Sequence, residues 1–354
     1  MPFAPLAGLP MYLLRDVQRA DLPSLKRLAA VLNTVNLPND EATLEELIET
    51  SVRSFAGKIK NPFEREYLFV LEDAKSEQVV GTSLIIAQHG TKDSPHTYYE
   101  VSEREHYSAT LDRHFKHKVL SIAYNYQGPT EIGGLVVDPP HRSGPEKPGK
   151  QLSYVRFLFL AMHRALFRDR VLAELMPPLM PDGRSLLWEA VGKKFTGLTY
   201  MEADRLSHEN KEFIKELFPS SDIYVSLFPE RTQKVVGEVG PQTRGVQRML
   251  ERVGFQYVER VDPFDGGPHF EAQTSEVLLV RRFRTARVSA EPLRGDGTED
   301  VLVGVDRDPA RNRFRAVRSP VRIDDQTVSL PAQVRELLGV STGARVGIIP
   351  FELG

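Results

Sequence analysis

The feature of this sequence that most constrains its fold is an apolar strand that leads through a basic, glycine-containing loop into a helix. Residues 130–138 read Thr-Glu-Ile-Gly-Gly-Leu-Val-Val-Asp, and the loop after them contains Arg142, Gly144 and Gly149. Strongly apolar residues at 152–167 predict the helix. Free backbone N–H groups at a helix start bind anions, and glycine lets a phosphate approach the chain closely. The unit is therefore typical of an α/β (α+β) protein, and its loop is a candidate anion site.

The loop has few backbone donors because two of its residues are prolines. Pro145 and Pro148 carry no N–H group. The candidate donors are the N–H groups of Ser143, Gly144, Gly149 and Lys150. Lys147 and Lys150 would supply positive charge. Turns of this kind also occur without a ligand, so the loop alone leaves both a phosphate site and a simple turn open.

Apolar spacing predicts further strands and helices on both sides of this unit. Asp21 is placed to cap a helix in which Leu22, Leu25 and Leu28 recur at helical spacing. Other predicted helices lie at about 41–55, 186–195, 209–217 and 242–253. Other predicted strands lie at 12–17, 67–72, 79–88, 170–175, 255–261 and 277–283. The pattern is typical of a mixed central sheet flanked by helices.

The composition argues against several classes of protein. Lysine and arginine total 46 and aspartate and glutamate total 48, so there is no bulk electrostatic reason to bind nucleic acid or anionic lipid. The absence of cysteine excludes disulfides, thiolate metal sites and a cysteine nucleophile. Residues 1–14 are apolar but interrupted by prolines, and they contain no run long enough to span a bilayer. We expect a cytoplasmic protein with no membrane partner.

A series of short motifs, spread over most of residues 12–284, resembles one family. The most specific motif is Phe-Asp-Gly-Gly-Pro at 264–268, followed by Glu271. The others, in chain order, are Leu37-Pro38 with Glu41–Leu44, Tyr67–Asp73, Glu131 with Leu135 and Asp138-Pro139, Ala173-Glu174, Trp188–Phe195, Ala203-Asp204, Phe213-Ile214 with Glu216-Leu217, and Pro241–Thr243. In this order they resemble the bacterial arginine N-succinyltransferases.

The resemblance implies a GNAT acyl-CoA N-acyltransferase fold and a reaction of arginine catabolism. Succinyl-CoA would be the donor, as a co-substrate rather than a tightly bound cofactor, and the α-amine of arginine or ornithine the acceptor. GNAT enzymes hold the coenzyme A pyrophosphate on a loop of the type Arg-x-x-Gly-x-Gly or Ala. The strand before that loop binds the pantetheine arm and supplies N–H groups for the oxyanion. The acyl-CoA contacts implied here are Leu135, Val136, Val137, Arg142, Ser143, Gly144, Gly149 and Lys150.

The same resemblance divides the chain into four segments. Residues 1–200 are expected to form the GNAT-type, acyl-CoA-binding region, and residues 201–284 a second part that completes the substrate site. Residues 285–300 are polar, contain Pro and Gly and are expected to be a linker. Residues 301–354 are expected to be a small β-rich C-terminal domain.

Two departures from the family pattern put the chemistry in question. The family has a histidine, regarded as the catalytic acid/base, before Pro-Gln-Thr, but this chain has Gly240 there. The family also follows Ala-Glu-Met with arginine, whereas Leu175 is followed here by Met176. From the sequence alone, Gly240→His is expected to raise activity if the pocket is otherwise kept.

Two residues are candidates for the missing proton carrier. Glu131 lies on the central strand, where many GNAT enzymes place a carboxylate as general base, and an acceptor ammonium must lose a proton before it attacks. The alternative is a structural carboxylate. His269 follows the Phe-Asp-Gly-Gly-Pro motif and could replace the missing histidine in space, or it could be an exposed loop residue.

The remaining site predictions concern the acceptor and metals. Asp265 could pair with a guanidinium or ammonium group, or it could serve only the turn. The resemblance adds Gln242 and Thr243 as substrate contacts. No metal is predicted, because the cluster of His106, His114 and His117 lacks regular ligand spacing.

Three functions remain open from the sequence. The first is arginine (or ornithine) N-succinyltransfer, and the second is a related acyl transfer with another donor or amine. The third is a catalytically weak partner subunit, since some organisms pair two homologous subunits in this family. The expected partners are an acyl-CoA, an amino-acid amine and either a second copy or a homologous subunit. No nucleic acid partner is expected.

Overall fold

The computed structural model describes residues 12–32, 40–91, 94–293, 297–307 and 313–353, and the statements below concern these residues. The family-like motif at Leu37-Pro38 lies outside them. Within them, no helix combines the length and the apolar character needed to cross a membrane.

Strands make up much of the described chain, and they are numbered here in chain order. They are β1 (Tyr12–Asp16), β2 (Glu66–Asp73), β3 (Val79–Ile86), β4 (His96–Ser108), β5 (Arg113–Asn125), β6 (Thr130–Val137), β7 (Arg170–Glu174), β8 (Ile223–Tyr224), β9 (Gln256–Val261), β10 (Pro268–Gln273), β11 (Arg284–Val288), β12 (Glu299–Arg307), β13 (Arg313–Asp324), β14 (Thr327–Ser329) and β15 (Arg345–Pro350).

The helices lie in groups between these strands, in a mixed α/β chain. They are α1 (Leu22–Leu32), α2 (Glu41–Phe55), α3 (Pro148–Met162), α4 (Leu186–Ala190), α5 (Gly192–Thr196), α6 (Tyr200–Glu209), α7 (Glu212–Leu217), α8 (Glu230–Gln233), α9 (Arg244–Arg252), α10 (Leu278–Arg281) and α11 (Ala332–Leu338).

The chain forms two compact units that interleave along the sequence. The first unit consists of residues 1–87, 132–169 and 274–354, and the second of residues 88–131 and 170–273. The expected segment boundaries near 200 and 284 do not coincide with these breaks. One break falls within β6, so that Thr130 and Glu131 lie in the second unit and residues 132–137 in the first.

The first unit is built on strands in the order β12-β15-β11-β14-β13-β1-β2-β3-β6. Helices α1 and α2 cover part of it, and Leu25, Leu28, Leu44 and Ile48 pack into a common core with strand residues. The helical spacing seen in the sequence is thus the buried face of the two helices. Asp40 begins α2 by accepting a hydrogen bond from the backbone N–H of Thr43 at 2.9 Å.

Helix α3 is a core helix whose residues are buried on nearly all sides. It begins at Pro148, four residues before the start predicted at 152, because proline at a first helical position loses no hydrogen bond. It ends at Met162 rather than at 167.

The C-terminal strands close into a small β-structure within the first unit. Strand β12 pairs with both β13 and β15, and Val303, Val317 and Ile348 share a core with Leu13 of β1. The segment expected to be a linker therefore begins inside a strand, since β11 covers residues 284–288 and pairs with β15.

The second unit is built on strands in the order β7-β10-β9-β4-β5-β8. The first two residues of β6 join it, with Thr130 opposite Val171 and Glu131 opposite Leu172 in parallel register. Strands β4 and β5 form a long hairpin with continuous register from His96–Asn125 to Ser108–Arg113.

Two local predictions were wrong. The strand predicted at 277–283 is the short helix α10, because a short apolar run does not by itself distinguish a strand from a buried helical turn. Asp21 does not cap α1 as an N-terminal residue. It ends a preceding 3-10 turn, where its carboxylate accepts from the backbone N–H of Gln18 at 2.7 Å and from Arg15.

Candidate active site

The predicted acyl-CoA strand alternates between buried and partly exposed residues from Thr130 to Val136. Glu131, Gly133 and Leu135 are partly exposed, while Val136 and Val137 are buried. Gly134 has a φ of +57°, in the left-handed region, so the regular strand conformation is interrupted there. A strand with such an interruption does not use all its backbone groups in the ladder.

The predicted phosphate loop is fixed mainly by backbone contacts. Arg142 is exposed, and its Nε donates to the carbonyl oxygen of Val137 at 2.9 Å. Arg318 of β13 donates to the carbonyl oxygens of Pro145 and Glu146 at 3.0 and 2.9 Å. The loop conformation is therefore stabilised by the C-terminal strands of the same unit.

The two loop lysines are engaged with one carboxylate. Lys147 and Lys150 place their Nζ atoms 2.8 and 2.9 Å from the carboxylate oxygens of Glu352. The backbone N–H of Lys150, a predicted phosphate donor, donates to the Lys147 carbonyl oxygen at 2.9 Å. An incoming phosphate would have to compete with Glu352 for these cations, whereas Ser143, Gly144 and Gly149 remain in the exposed or half-exposed part of the loop.

In the second unit, Glu131 is paired with a histidine that the sequence analysis did not single out. Nε2 of His89 donates to a Glu131 carboxylate oxygen across a short contact. His89 is held by its backbone, since its N–H donates to Pro129 and its carbonyl accepts from Gly128, both at 2.9 Å. Burial disfavours the charged imidazolium, but the Glu131 carboxylate outweighs it and raises the pKa of His89.

A second cluster, which we call the histidine cluster, consists of His96, Glu174 and His269. These residues lie at the start of β4, the end of β7 and the second position of β10, and Glu174 and His269 are register partners. Nε2 of each histidine lies 3.3 Å from Oε1 of Glu174. The two imidazole rings stack with centroids 5.5 Å apart, and His89 lies 5.4 Å from His96.

His269 is a core residue and not the exposed loop residue that was the alternative. It is fully buried, and neither of its ring nitrogens has a hydrogen-bond partner among the described residues. Burial is the largest cause that lowers its pKa, to about 4, so the ring is neutral at neutral pH. Burial alone would raise the pKa of Glu174, but the surrounding imidazoles hold it below its ordinary value, so Glu174 is a carboxylate.

The histidine cluster also has the composition of a metal site. One ligand atom from each of its three side chains lies within 4.8 Å of the others. Two imidazoles and a carboxylate suit zinc or non-haem iron. The spacing of His96, Glu174 and His269 in the sequence gave no reason to predict such a set, because three separate strands bring them together.

The predicted acceptor residue Asp265 lies in a tight loop between β9 and β10. Asp262 Oδ1 accepts from the backbone N–H groups of Phe264 and Asp265 at 2.7 and 3.0 Å, and Asp265 Oδ1 accepts from Gly267 at 2.7 Å. Burial raises the pKa of Asp265 to about 7, and Glu174 adds to the rise. Burial together with Asp265 also raises the pKa of Asp262. Closely placed, poorly solvated acids of this kind favour a cation beside them.

The other two predicted substrate contacts differ in their surroundings. Gln242 is exposed, whereas the Thr243 hydroxyl donates to the carbonyl oxygens of Met176 and Gly240 at 2.9 and 3.2 Å. The nearby Gly240 is closely surrounded by backbone atoms. A Cβ atom on Gly240 would lie 2.7 Å from the carbonyl oxygen of Pro177 and 2.9 Å from that of Met176. The backbone here leaves no room for a side chain at position 240.

A cavity of about 460 Å³ in the second unit lies elsewhere on the surface of α9 and β9. Its lining includes Arg244, Gln247, Glu251 and Tyr257, and none of the predicted site residues. It therefore adds nothing to the candidate site.

Comparison with known proteins decides the family. The family described as "Arginine N-succinyltransferase beta subunit" matches residues 12–279, and its C-terminal domain matches residues 284–350. The arginine N-succinyltransferase of Yersinia pestis (strain Pestoides F) is 34% identical over 348 residues, which is 96% of this chain and 97% of that protein. The chain belongs to the arginine N-succinyltransferase family.

Other relatives agree over nearly the whole chain. The arginine N-succinyltransferase of Escherichia coli (strain 55989 / EAEC) is 32% identical over 343 residues, covering 96% of this chain and 97% of that one. The solved structure of the arginine/ornithine succinyltransferase subunit AI from Pseudomonas aeruginosa superposes with a TM-score of 0.81 at 30% identity, covering 97% of this chain and all of the other. The predicted family, acyltransferase class and mixed α/β GNAT-like fold are confirmed.

Proposed function

We propose that this chain transfers the succinyl group of succinyl-CoA to the α-amine of arginine or ornithine, as an enzyme of arginine catabolism. The observation that carries the proposal is the match to arginine N-succinyltransferases over 96% of the chain. The donor is a co-substrate, so no resident cofactor is required.

We assign the binding of succinyl-CoA, the acyl donor, to β6 and the loop after it. The accessible guanidinium of Arg142 and the half-exposed start of α3 at Gly149 suit a pyrophosphate. Ser143 and Gly144 are exposed beside them. Lys150 would contribute after exchanging its contact with Glu352 for one with a phosphate. The interruption at Gly134 supports a role for Leu135, Val136 and Val137 in binding the pantetheine arm through their backbone.

We assign the cationic end of the acceptor to Asp265 with Asp262. Both carboxyl groups are difficult to ionise where they lie, and Glu174 adds negative charge nearby. A guanidinium or ammonium group would offset that repulsion and pair with carboxylates through directed hydrogen bonds. Gln242, which is exposed beside Thr243, remains a candidate contact to the amino acid.

We assign the removal of a proton from the acceptor's α-ammonium group to Glu131 and His89. The α-ammonium loses its proton to this pair, directly or through water, and the free amine attacks the thioester carbonyl. The tetrahedral oxyanion then collapses, the C–S bond breaks, and the coenzyme A thiolate leaves and takes up a proton. His269 is a weaker candidate base because its pKa of about 4 keeps it neutral and a poor proton acceptor. Its place in the histidine cluster suits the positioning of Glu174.

The second candidate function is a catalytically weak partner subunit. The observation that favours it is Gly240, where the backbone excludes the histidine that the family pattern has. On the first proposal, His89 with Glu131 takes over the role of that histidine. The two proposals differ in whether the isolated chain turns over.

We propose that the chain assembles with a second copy. The β4–β5 hairpin leaves large apolar side chains exposed near its tip: Tyr107 at 63%, Leu111 at 66% and Phe115 at 47%. Apolar side chains gathered in this way favour a protein interface. Leu111→Ser with Phe115→Ser is expected to reduce the sedimentation mass to that of one chain, and an unchanged mass would contradict the proposal.

The test of the function is a thiol-release assay on the purified chain with succinyl-CoA and L-arginine or L-ornithine, followed by mass spectrometry of the product. Coenzyme A release with formation of the N-succinyl amino acid supports the first proposal. An inert chain that gains activity only with a co-purified homologue supports the second. The same assay after dialysis against EDTA tests the metal question, and we expect the rate to be unchanged.

A further inference from the structure

A buried arginine in the first unit has no counter-ion among the residues that the structure describes. Arg156 lies on α3 and is only 2% exposed. Its guanidinium donates to three neutral acceptors: the carbonyl oxygen of Ser153 at 3.3 Å, the hydroxyl of Ser153 at 2.9 Å and the carbonyl oxygen of Gly133 at 3.1 Å. Among the residues that the structure describes, no carboxylate lies within ion-pair distance of it. Burial lowers its pKa to about 9.

Two other poorly exposed arginines of this unit are paired with carboxylates, in contrast to Arg156. Arg15 contacts the carboxylates of Asp21 and Glu72 at 2.8 and 2.7 Å. Arg318 contacts Asp300 at 2.7 Å. A buried charge without a partner costs several kcal/mol, and an apolar residue of similar volume would avoid that cost. The guanidinium of Arg156 is therefore explained better by an anion that binds there than by packing.

The position of Arg156 relates it to the acyl end of the donor. Its contact Gly133 lies on β6, between Glu131 and Leu135, and directly before the interruption at Gly134. Arg156 follows Gly149, at the start of the helix, by seven residues, or about 10 Å along the helix axis. A donor whose pyrophosphate lies at the helix start and whose arm follows β6 would carry its acyl group toward Arg156.

We propose that Arg156 binds the free carboxylate of the succinyl group and thereby selects dicarboxylic monothioesters over neutral acyl-CoAs. This inference rests on the proposed assignment of the donor to β6. Three of the guanidinium's five N–H groups are used within the chain, which leaves two for the carboxylate. A neutral acyl chain would leave the buried charge unpaired, and sites that leave a buried polar group unpaired reject such ligands strongly.

The test compares succinyl-CoA with butyryl-CoA, which has an acyl chain of the same length without the carboxylate. Calorimetry on the wild-type chain is expected to give at least about tenfold tighter binding of succinyl-CoA. Equal affinities would overturn the proposal. This measurement needs no acceptor and no turnover, so it remains decisive if the chain proves inactive with arginine and the proposed reaction fails.

Two variants extend the test. Arg156→Met removes the charge and keeps much of the volume, and it is expected to lower kcat/KM for succinyl-CoA by about 10²-fold or more while leaving or raising that for butyryl-CoA. Arg156→Lys keeps the charge but not the planar guanidinium. Its kcat/KM for succinyl-CoA is expected to lie between those of the wild type and Arg156→Met. Circular dichroism and the affinity for free coenzyme A check the fold. An equal loss with both donors, in a folded variant, would assign Arg156 a structural role only.

Discussion

The carboxylate of Glu131 accepts a hydrogen bond from Nε2 of His89, and the two residues lie in the same unit although 42 positions separate them in the chain. The backbone of His89 is tied to Gly128 and Pro129, immediately before β6. The turn directly before β6 therefore holds the imidazole beside Glu131. Because Glu131 raises the pKa of His89, this imidazole holds a proton more tightly than it would without the carboxylate.

The first prediction is that removing either partner slows the reaction. Glu131→Gln and His89→Gln should each lower kcat by roughly 10²- to 10⁴-fold, the usual range for a general base. The wild-type rate should rise with pH as the raised pKa is passed, and this rise should be lost in both variants. Steady-state rates across pH measure both effects. Glu45→Gln, on the exposed face of α2, is the matched control, and variants as fast as that control would leave Glu131 a structural residue.

The second prediction concerns Gly240. The sequence alone suggested that Gly240→His would raise activity, but the carbonyl oxygens of Met176 and Pro177 leave no room for a Cβ atom. Gly240→Ala should therefore lower the free energy of unfolding by about 1–3 kcal/mol, as overpacking does, and Gly240→His should not restore activity. Denaturant unfolding gives the first value and the thiol-release assay the second.

The matched control for this prediction is Gly245→Ala. Gly245 lies in α9, and a Cβ atom there would meet nothing within 4 Å. Alanine is expected to stabilise that helix by up to about 1 kcal/mol. A Gly240→Ala variant as stable as Gly245→Ala would contradict the steric argument.

The core of the fold could be predicted from the sequence because its signals are local. Leucines at helical spacing in α1 and α2, and apolar runs in β2, β3 and β6, report directly on which face is buried. The prediction of a strand at 277–283 was wrong because such local signals need length. Four consecutive apolar residues fit the spacing of a strand and of a helix equally well. Helix α3 begins four residues before its predicted start, because proline at a first helical position costs no hydrogen bond.

Much of the candidate site could not be predicted, because long-range pairing creates it. His96 and Glu174 are 78 positions apart, and no sequence spacing relates them. Glu131, Asp265 and His269 could be selected because they lie in or beside family-like motifs. His89 carries no such motif, and only the structure associates it with Glu131. Arg156 lies in an apolar helix. A single arginine among Phe and Leu residues is itself a sign of a buried charge, and it could have marked this position from the sequence.

The third prediction is an acid instability caused by His269. Its pKa is lowered from 6.5 to about 4 in the folded chain, so the native state favours the neutral ring. That contribution to stability is fully present above pH 6.5 and is lost as the pH falls through about 4, because the unfolded chain takes up the proton first. The loss corresponds to about 3 kcal/mol. In His269→Phe, the melting temperature should fall less between neutral pH and pH 4, as differential scanning calorimetry at each pH would measure.

The control for His269 is His163→Phe, which replaces a partly exposed histidine directly after α3. It should lose stability with acid as the wild type does. A His269→Phe variant that loses stability in parallel with the wild type would mean that the ring at 269 is not neutral in the native state.

The last prediction concerns Asp265, whose contribution to stability is lost as the pH rises, whereas that of His269 is lost as the pH falls. Burial raises its pKa from 3.8 to about 7, so the folded chain favours the protonated acid. The resulting stability is fully present below pH 3.8 and is lost as the pH rises through about 7, because the unfolded chain gives up the proton first. Asp265→Asn keeps an oxygen for the Gly267 N–H and cannot ionise. Above neutral pH it should be more stable than the wild type, by on the order of 2–4 kcal/mol.

If Asp265 also binds the acceptor, a cation should reverse this instability. L-Arginine is expected to raise the melting temperature of the wild type above neutral pH, where Asp265 is ionised, and to have little effect on Asp265→Asn, since binding to the native state alone stabilises it. Asp182→Asn, which removes a carboxylate that is 54% exposed, is the matched control and should behave as the wild type does. An equal response to arginine in all three proteins would remove Asp265 from the acceptor site. A wild type that gains stability relative to Asp265→Asn as the pH rises would contradict the raised pKa itself.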